Sequence, residues 1–336
     1  MTMTTSTGAG VSQRTNVYAE RQMLRHAGPV MVLDKWGMTR PMPKNKSTVI
    51  KFRRPRVFSA VTTPLTEGVT PSATQFQYED VSATLRQYGM LVEITDVIED
   101  THEDPVLNDA TVQAGENIGR TMENLTYGVL KAGTNVYYAN GTARTDVNTP
   151  ISVAKIRAVV RGLTAQKAMP ITRILDASVN YGTRAIQSGF VAVGHSDLAN
   201  DIRDLPGFTP LAEYGSRQPL HERELGSCED VRFILSPDLA SIVDAGGAKA
   251  GSGTTMVSAA GTSSDVYPVL FFGKEAYGMV PLRGQGAVSP TILRPNVKDK
   301  SDPLGQRGYV GWKTWFCCVI LNELWMARLE VAATAL

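Results

Sequence analysis

The sequence predicts an α+β protein in which a long, core-poor N-terminal third is joined to a larger mixed body. Three observations carry that expectation. Residues 46–93 hold two alternating polar–apolar runs separated by Pro/Gly-rich turn chemistry, the pattern of a long two-stranded ribbon. Asp104-Pro105 then opens an amphipathic helix of roughly 28 residues, about 40 Å at the helical rise. From Pro150 onward short apolar runs and short helices interleave, the texture of an ordinary α/β body.

The bounds are ordinary. With 336 residues, 43% apolar and 20% charged, the chain can form a sizeable core, as two domains or as one large domain with extensions. No apolar run reaches the about 18 residues a membrane span needs; the longest, Trp312 to Leu321, contains Lys313. Met1 to Gly10 is Thr/Ser/Gly-rich and lacks the basic and apolar regions of a secretory signal, so the chain is expected to be made in, and stay in, a cytosol. Cys228, Cys317 and Cys318 cannot form a disulfide framework, and neighbouring residues on a strand point to opposite faces, so they are expected to be small buried hydrophobes.

The net charge is only +2, yet it is polarised. Residues 1–56 hold eleven Lys/Arg against Glu20 and Asp34, a net of +9. Residues 57–150 hold thirteen Asp/Glu against Arg86, Arg120, Lys131 and Arg144, a net of −9. Solvated faces with no partner give such a pattern. So does a basic segment that meets the acidic one, within a chain or between copies, and a basic arm can also touch nucleic acid through its phosphates.

Each element has its own reason. Residues 1–15 carry almost no large apolar side chain and are expected to be disordered. Asn16 caps a short helix to about Arg25, ended by Gly28-Pro29. Val30 to Trp36 is a short apolar piece, and Met38 to Lys46, with Pro41 and Pro43, reads as an extended arm. Lys46 to Val57 places Val49, Lys51 and Arg53 on one face against Ile50, Phe52 and Arg54 on the other. Phe76 to Glu93 is the return run, and a two-stranded ribbon of this kind is marginal in water without a neighbour to lie on. In the long helix Leu107, Ala110, Ala114, Ile118, Met122, Leu125, Val129 and Leu130 recur at three- and four-residue steps down to Gly133. Beyond it, Ile151–Gln166 is a helix, Gly189–Gly194 a strand, and Ser196 the expected cap of a helix to Leu205. Val231–Leu235 is a strand followed by a short helix capped by Ser236, and Ala245–Ser264 a mobile Gly/Ala/Ser-rich loop. Pro268–Phe272 and Ala276–Pro281 are strands, and Tyr309–Val331 is too long for one average strand, so it must cross the molecule or bend.

No constellation carries chemistry. Gly246 to Thr254 resembles a phosphate loop in composition, but Ser252 stands where lysine is needed. Gly284-Gln285-Gly286 is followed by Ser289, so the dinucleotide fingerprint fails. His102-Glu103-Asp104 reads as an acidic helix start rather than a metal site. His195-Ser196-Asp197 are neighbours splayed by the backbone, whereas a catalytic triad converges from distant positions. An enzyme is not expected, and no cofactor or metal.

Four stretches together resemble the major capsid proteins of tailed bacteriophages, in the branch related to the capsid protein of N4-like podoviruses. They are residues 62–71 (TTPLTEGVTP), Gln87-Tyr88-Gly89 with Glu93-Ile94-Thr95-Asp96, Leu205-Pro206-Gly207-Phe208 with Glu213-Tyr214-Gly215, and residues 302–313 (DPLGQRGYVGWK), continuing to Ile320-Leu321-Asn322 and residues 325–330. The resemblance implies the Johnson fold: an N-terminal arm (1–45), an extended β-hairpin loop (46–92), a peripheral domain with a long spine helix at about 105–132 (93–150), an axial domain (151–292) and a return to the peripheral domain (293–336). It implies a chain that self-assembles into the hexamers and pentamers of an icosahedral shell around double-stranded phage DNA, built in the bacterial cytoplasm. The implied partners are other copies, a portal protein, scaffold or decoration proteins and DNA held nonspecifically, with no membrane. Combined with the charge split, this makes Lys51, Arg53, Arg54, Arg56 and Glu67 of the loop candidate contacts between subunits, the four cations facing acids such as Glu99, Asp100, Glu103 and Asp109 near the spine; Arg14, Arg21 and Arg25 are candidate contacts to DNA or to other arms. No covalent Lys–Asn crosslink is expected. The rivals are a host-encoded nanocompartment shell of the same fold and a soluble α/β enzyme.

Overall fold

The computed structural model describes residues 31–43, 45–97, 106–171, 189–214, 219–249, 255–282, 288–298 and 302–335. The helix expected at 16–25 and the caps Asn16 and Asp104 lie outside them. Two sheets and one ribbon account for the strands. The first sheet is organised on β13 (Arg307–Ile320), which has β4 (Arg86–Thr95), β11 (Tyr277–Pro281) and β12 (Val288–Leu293) as antiparallel partners. Residues 309–314 pair with both β4 and β12, and Phe316 with both Arg86 and Pro281. A strand has two edges, so β11 and β12 lie end to end on the edge opposite β4. β1 (Met38–Thr39) adds to β11 in parallel.

The second sheet has seven strands in the order β5 (Val136–Tyr138), β14 (Met326–Ala332), β10 (Val266–Phe272), β6 (Phe190–His195), β9 (Val231–Ser236), β8 (Glu224–Cys228) and β7 (Thr209–Pro210). Its central strands are apolar without alternation because both faces are covered. Along β10, Tyr267, Val269 and Phe271 face a core shared with α2 (Val153–Ala165) and α3 (Ala199–Arg203), while Leu270 and Phe272 face a second core under α1 (Val106–Leu130). The C-terminal half of α1 contributes Tyr127 and Leu130 to that second core; its N-terminal half sets Ala114 and Ile118 on Ile94, Val310 and Trp312 of the first sheet. One helix therefore spans both sheets.

The chain crosses between the sheets three times, once through α1 from β4 to β5 and twice by short connections, from β10 to β11 and from β13 to β14. The two short crossings are bonded to each other: Gly273 N–H donates to the Trp325 carbonyl (2.9 Å), and Leu321 and Asn322 N–H donate to the Ala276 carbonyl (3.0 and 3.1 Å). The over-long segment from Tyr309 thus breaks at Leu321–Trp325, and its two halves serve different sheets, so the last forty residues do not return to one sheet.

Several local expectations change. The extended arm at 38–46 is docked, with Met38 and Thr39 in the sheet and Met42 bridged to Leu282. The return run of the ribbon is interrupted at Leu85, which is 4% exposed, and only β3 (Tyr78–Thr84) pairs with β2 (Val49–Pro55); β4 leaves for the first sheet. His195, not Ser196, caps the following 3-10 turn, its Nδ1 accepting the Asp197 N–H at 3.1 Å. Ser236 is followed by a turn rather than a helix. The Gly/Ala/Ser-rich segment is tied down on either side of residues 250–254: Gly246 N–H donates to the Ser264 carbonyl and Gly247 N–H to that of Val147.

Candidate inter-subunit surface

β2 and β3 pair in a register that sets Arg53 opposite Asp80 and Arg54 opposite Glu79. Arg53 binds Asp80 through two bonds, Nε–Oδ1 at 2.7 Å and Nη2–Oδ2 at 3.0 Å. Arg54 reaches Glu79 Oε2 from Nε and Nη2 at 2.9 and 2.7 Å, and Arg56 Nη1 donates to Gln77 Oε1 at 3.3 Å. The Arg53 guanidinium holds the Asp80 carboxyl below its usual range. Three of the cations expected to face another subunit are therefore engaged within their own ribbon. The signal that names their partners is the register, which alternation alone leaves open because the length of the tip is free. Lys51 shares the exposed face of Arg53. Ile50, Phe52 and Arg54 form the half-buried underside, and Ile50 and Phe52 pack with Met42, Ala83, Leu85 and Val280.

Past Pro55 the ribbon has no core. Val57, Val61, Leu65 and Val69 are 84, 86, 75 and 63% exposed. Phe58, Phe76 and Tyr78 are also exposed and touch each other, Phe76 meeting Tyr78 edge-on at 4.7 Å between centroids, with the Arg53 guanidinium 5.2 Å over the Tyr78 ring. At the tip the Val69 N–H donates to the Thr66 carbonyl (3.1 Å) and Gly68 has φ +79°, a type II turn that puts Glu67 at its corner. Contiguous apolar surface on so thin an element marks a surface to be covered.

On the helix side, Asp109 is exposed in the first turn of α1, where a carboxylate suits the helix dipole. Glu99, Asp100 and Glu103, like Arg14, Arg21 and Arg25, lie outside the described residues. A cleft of about 520 Å³ opens beneath the ribbon, with Met38, Ile50, Phe52, Leu321 and Trp325 as apolar walls and Arg40 and Lys51 at its rim. Among the described residues no group of His, Cys, Asp and Glu is arranged to hold a metal, and no helix is long and apolar enough to cross a membrane. His195 and Asp197 serve structure: Asp197 Oδ2 accepts the Tyr267 hydroxyl at 2.8 Å.

A family model described as phage capsid protein matches residues 78–328. No curated protein matches the chain. Among solved structures, the capsid of Ralstonia phage GP4 is similar at 14% identity and a TM-score of 0.64, over 89% of this chain and 87% of that one. The capsid asymmetric unit of cyanophage Pam1 gives 14% and 0.60 over 92% of each chain. The capsid of cyanophage P-SCSP1u gives 12% and 0.57 over 90% and 88%. At these identities the likeness is one of fold, and that fold is the α+β Johnson fold.

Proposed function

The chain belongs to the phage capsid protein family, and from that premise we propose that its copies associate as hexamers and pentamers and close an icosahedral shell around double-stranded phage DNA. It is a structural protein of the virion and not an enzyme. The observation that carries the assembly reading is the ribbon: residues 57–76 expose a run of large apolar side chains and bury none of them. Burying such a run on a neighbouring copy releases apolar surface from water at about 25 cal/mol per Å².

In this reading residues 1–45 are the arm and the ribbon is the extended loop. The first sheet with α1 forms the peripheral domain, and the part of residues 151–292 that precedes β11 forms the axial domain at the capsomer centre. The ribbon lies over the spine region of the next subunit, with Lys51 and Glu67 free to meet its charges. Arg14, Arg21 and Arg25 contact DNA or other arms, a portal protein closes one vertex, scaffold or decoration proteins assist, and assembly takes place in the bacterial cytoplasm.

Negative-stain microscopy of the expressed chain is expected to show shells or capsomer rings. A protein that stays monomeric in sizing chromatography under all assembly conditions overturns the reading. Closed particles that never hold DNA, even from infected cells, favour a nanocompartment shell instead.

A further inference from the structure

Residues 31–36 end on α1 in an unusual way. Val32 and Leu33 are fully buried and Trp36 nearly so. The Val32 N–H donates to Glu123 Oε2 at 3.2 Å, and the Leu33 N–H to both carboxyl oxygens at 3.2 and 3.1 Å. The Tyr277 hydroxyl donates to the Leu33 carbonyl. Glu123 is 1% exposed, and its hydrogen-bond donors are these backbone amides rather than a cation.

The charged and titratable groups around it come from every neighbouring element. Asp34, whose Oδ1 is buried without a hydrogen-bond partner, and Lys35 belong to the docked segment. Arg120 of α1 is directed to Asp238, after β9, at 3.7 Å. His221, before β8, lies against the Met31 backbone and Lys35. Tyr277 of β11 and Cys318 of β13 complete the surroundings and are held in their neutral forms by burial. The anions Asp34 and Asp238 add to the cost of ionising Glu123, while the nearest cation of its own helix is turned to Asp238.

We propose that Glu123 is a proton-operated latch, holding residues 31–36 on α1 most tightly when its carboxyl is protonated and releasing them as pH rises. Burial, reinforced by Asp34 and Asp238 and opposed by the two amides, pushes this carboxyl up to about 7. Once the segment lifts, the carboxyl meets water and returns toward an ordinary value near 4.3. The docked state then binds the proton more tightly than the undocked one. Docking is at full strength below the exposed value and weakens as pH climbs through the docked value, by up to about 500-fold over that window. The latch rests on the geometry of residues 31–36 and Glu123 and not on the chain being a shell subunit.

Hydrogen exchange on the full-length unassembled chain tests this between pH 5 and 8.5, corrected for intrinsic rates, with the β10 amides as internal reference. Protection of residues 32–36 relative to β10 is expected to fall on the order of 100-fold in the parent protein and to stay level in Glu123→Gln. Asp34→Asn, with one repelling carboxylate removed, moves the fall to lower pH. Level protection in the parent protein, or an equal fall in Glu123→Gln, overturns the latch. Should Glu123→Gln not fold, an unshifted fall in Asp34→Asn overturns it alone. The measurement needs no shell, so a failure of assembly and a failure of the latch are read separately.

Discussion

Glu330 is fully buried in β14 and faces two arginines: Arg144 through Nη2–Oε1 at 2.7 Å and Arg328 through Nε–Oε1 at 2.9 Å. Arg144 is partly exposed and can turn to water, but Arg328 cannot. Glu330→Ala is therefore expected to leave a buried cation unpaired and to cost about 3–5 kcal/mol, measured by urea denaturation. Cys318 shows the opposite case, a group that burial makes inert. Its thiol is pushed up to about 12, and those of Cys228 and Cys317 are also raised by burial. The native protein should react slowly with a thiol reagent at pH 8 and release three thiols promptly once denatured. That the cysteines were small hydrophobes and not a disulfide framework was readable from their number and spacing, though only Cys228 is fully buried and Cys317 and Cys318 are half-buried. That Glu123 and Glu330 are interior was not, because a carboxylate's burial depends on which distant segment lands on it: residues 32–33 for one, Arg144 for the other.

At the scale of the element, the ribbon carries its charges in pairs. Reversing Arg53 and Arg54 to Glu places four acids on neighbouring cross-strand positions, and the ribbon should splay while the seven-stranded sheet stays folded. Adding Asp80→Arg and Glu79→Arg restores complementarity within the ribbon. If assembly returns with the quadruple swap, the arginines act inside the ribbon; if it does not, they meet a neighbour. Val61→Ser, Leu65→Ser and Val69→Ser together touch nothing buried, so the melting temperature of the subunit should not move while shell yield falls. The ribbon was legible from alternation and turn chemistry. Its true length was not, since Leu85 continues the alternating pattern while the backbone changes partners from β2 to β13. In α1 the stripe was legible too, but the buried face also takes Thr111, Gly115, Gly119 and Thr126, small side chains that let the helix approach the sheets.

For the whole molecule, the long-range pairings decide everything and were the least legible. β4 and β13 join residues more than two hundred positions apart, and nothing in either run names the other. The break at Leu321–Trp325 was expected as a bend; that it separates two sheets follows only from their partners. Because α1 packs on both sheets, Ile118→Ala, at a 2% exposed position, should cost about 2–5 kcal/mol and lower the protection of β10 and β13 amides together. Loss of protection in β13 alone would mean that the sheets open independently.

The paired crossings have a mechanical meaning. Two adjacent backbone passages stitched to each other act as a pinned joint, stiff in tension and shear but free to flex about one line. α1 is the strut laid across that line, resting on a sheet at each end. A braced plate of this kind does not bend to suit different local curvatures of a closed surface. Among the described residues, compliance is expected in what is not braced, the ribbon beyond Pro55, whose large apolar side chains are exposed and tied to no packed core.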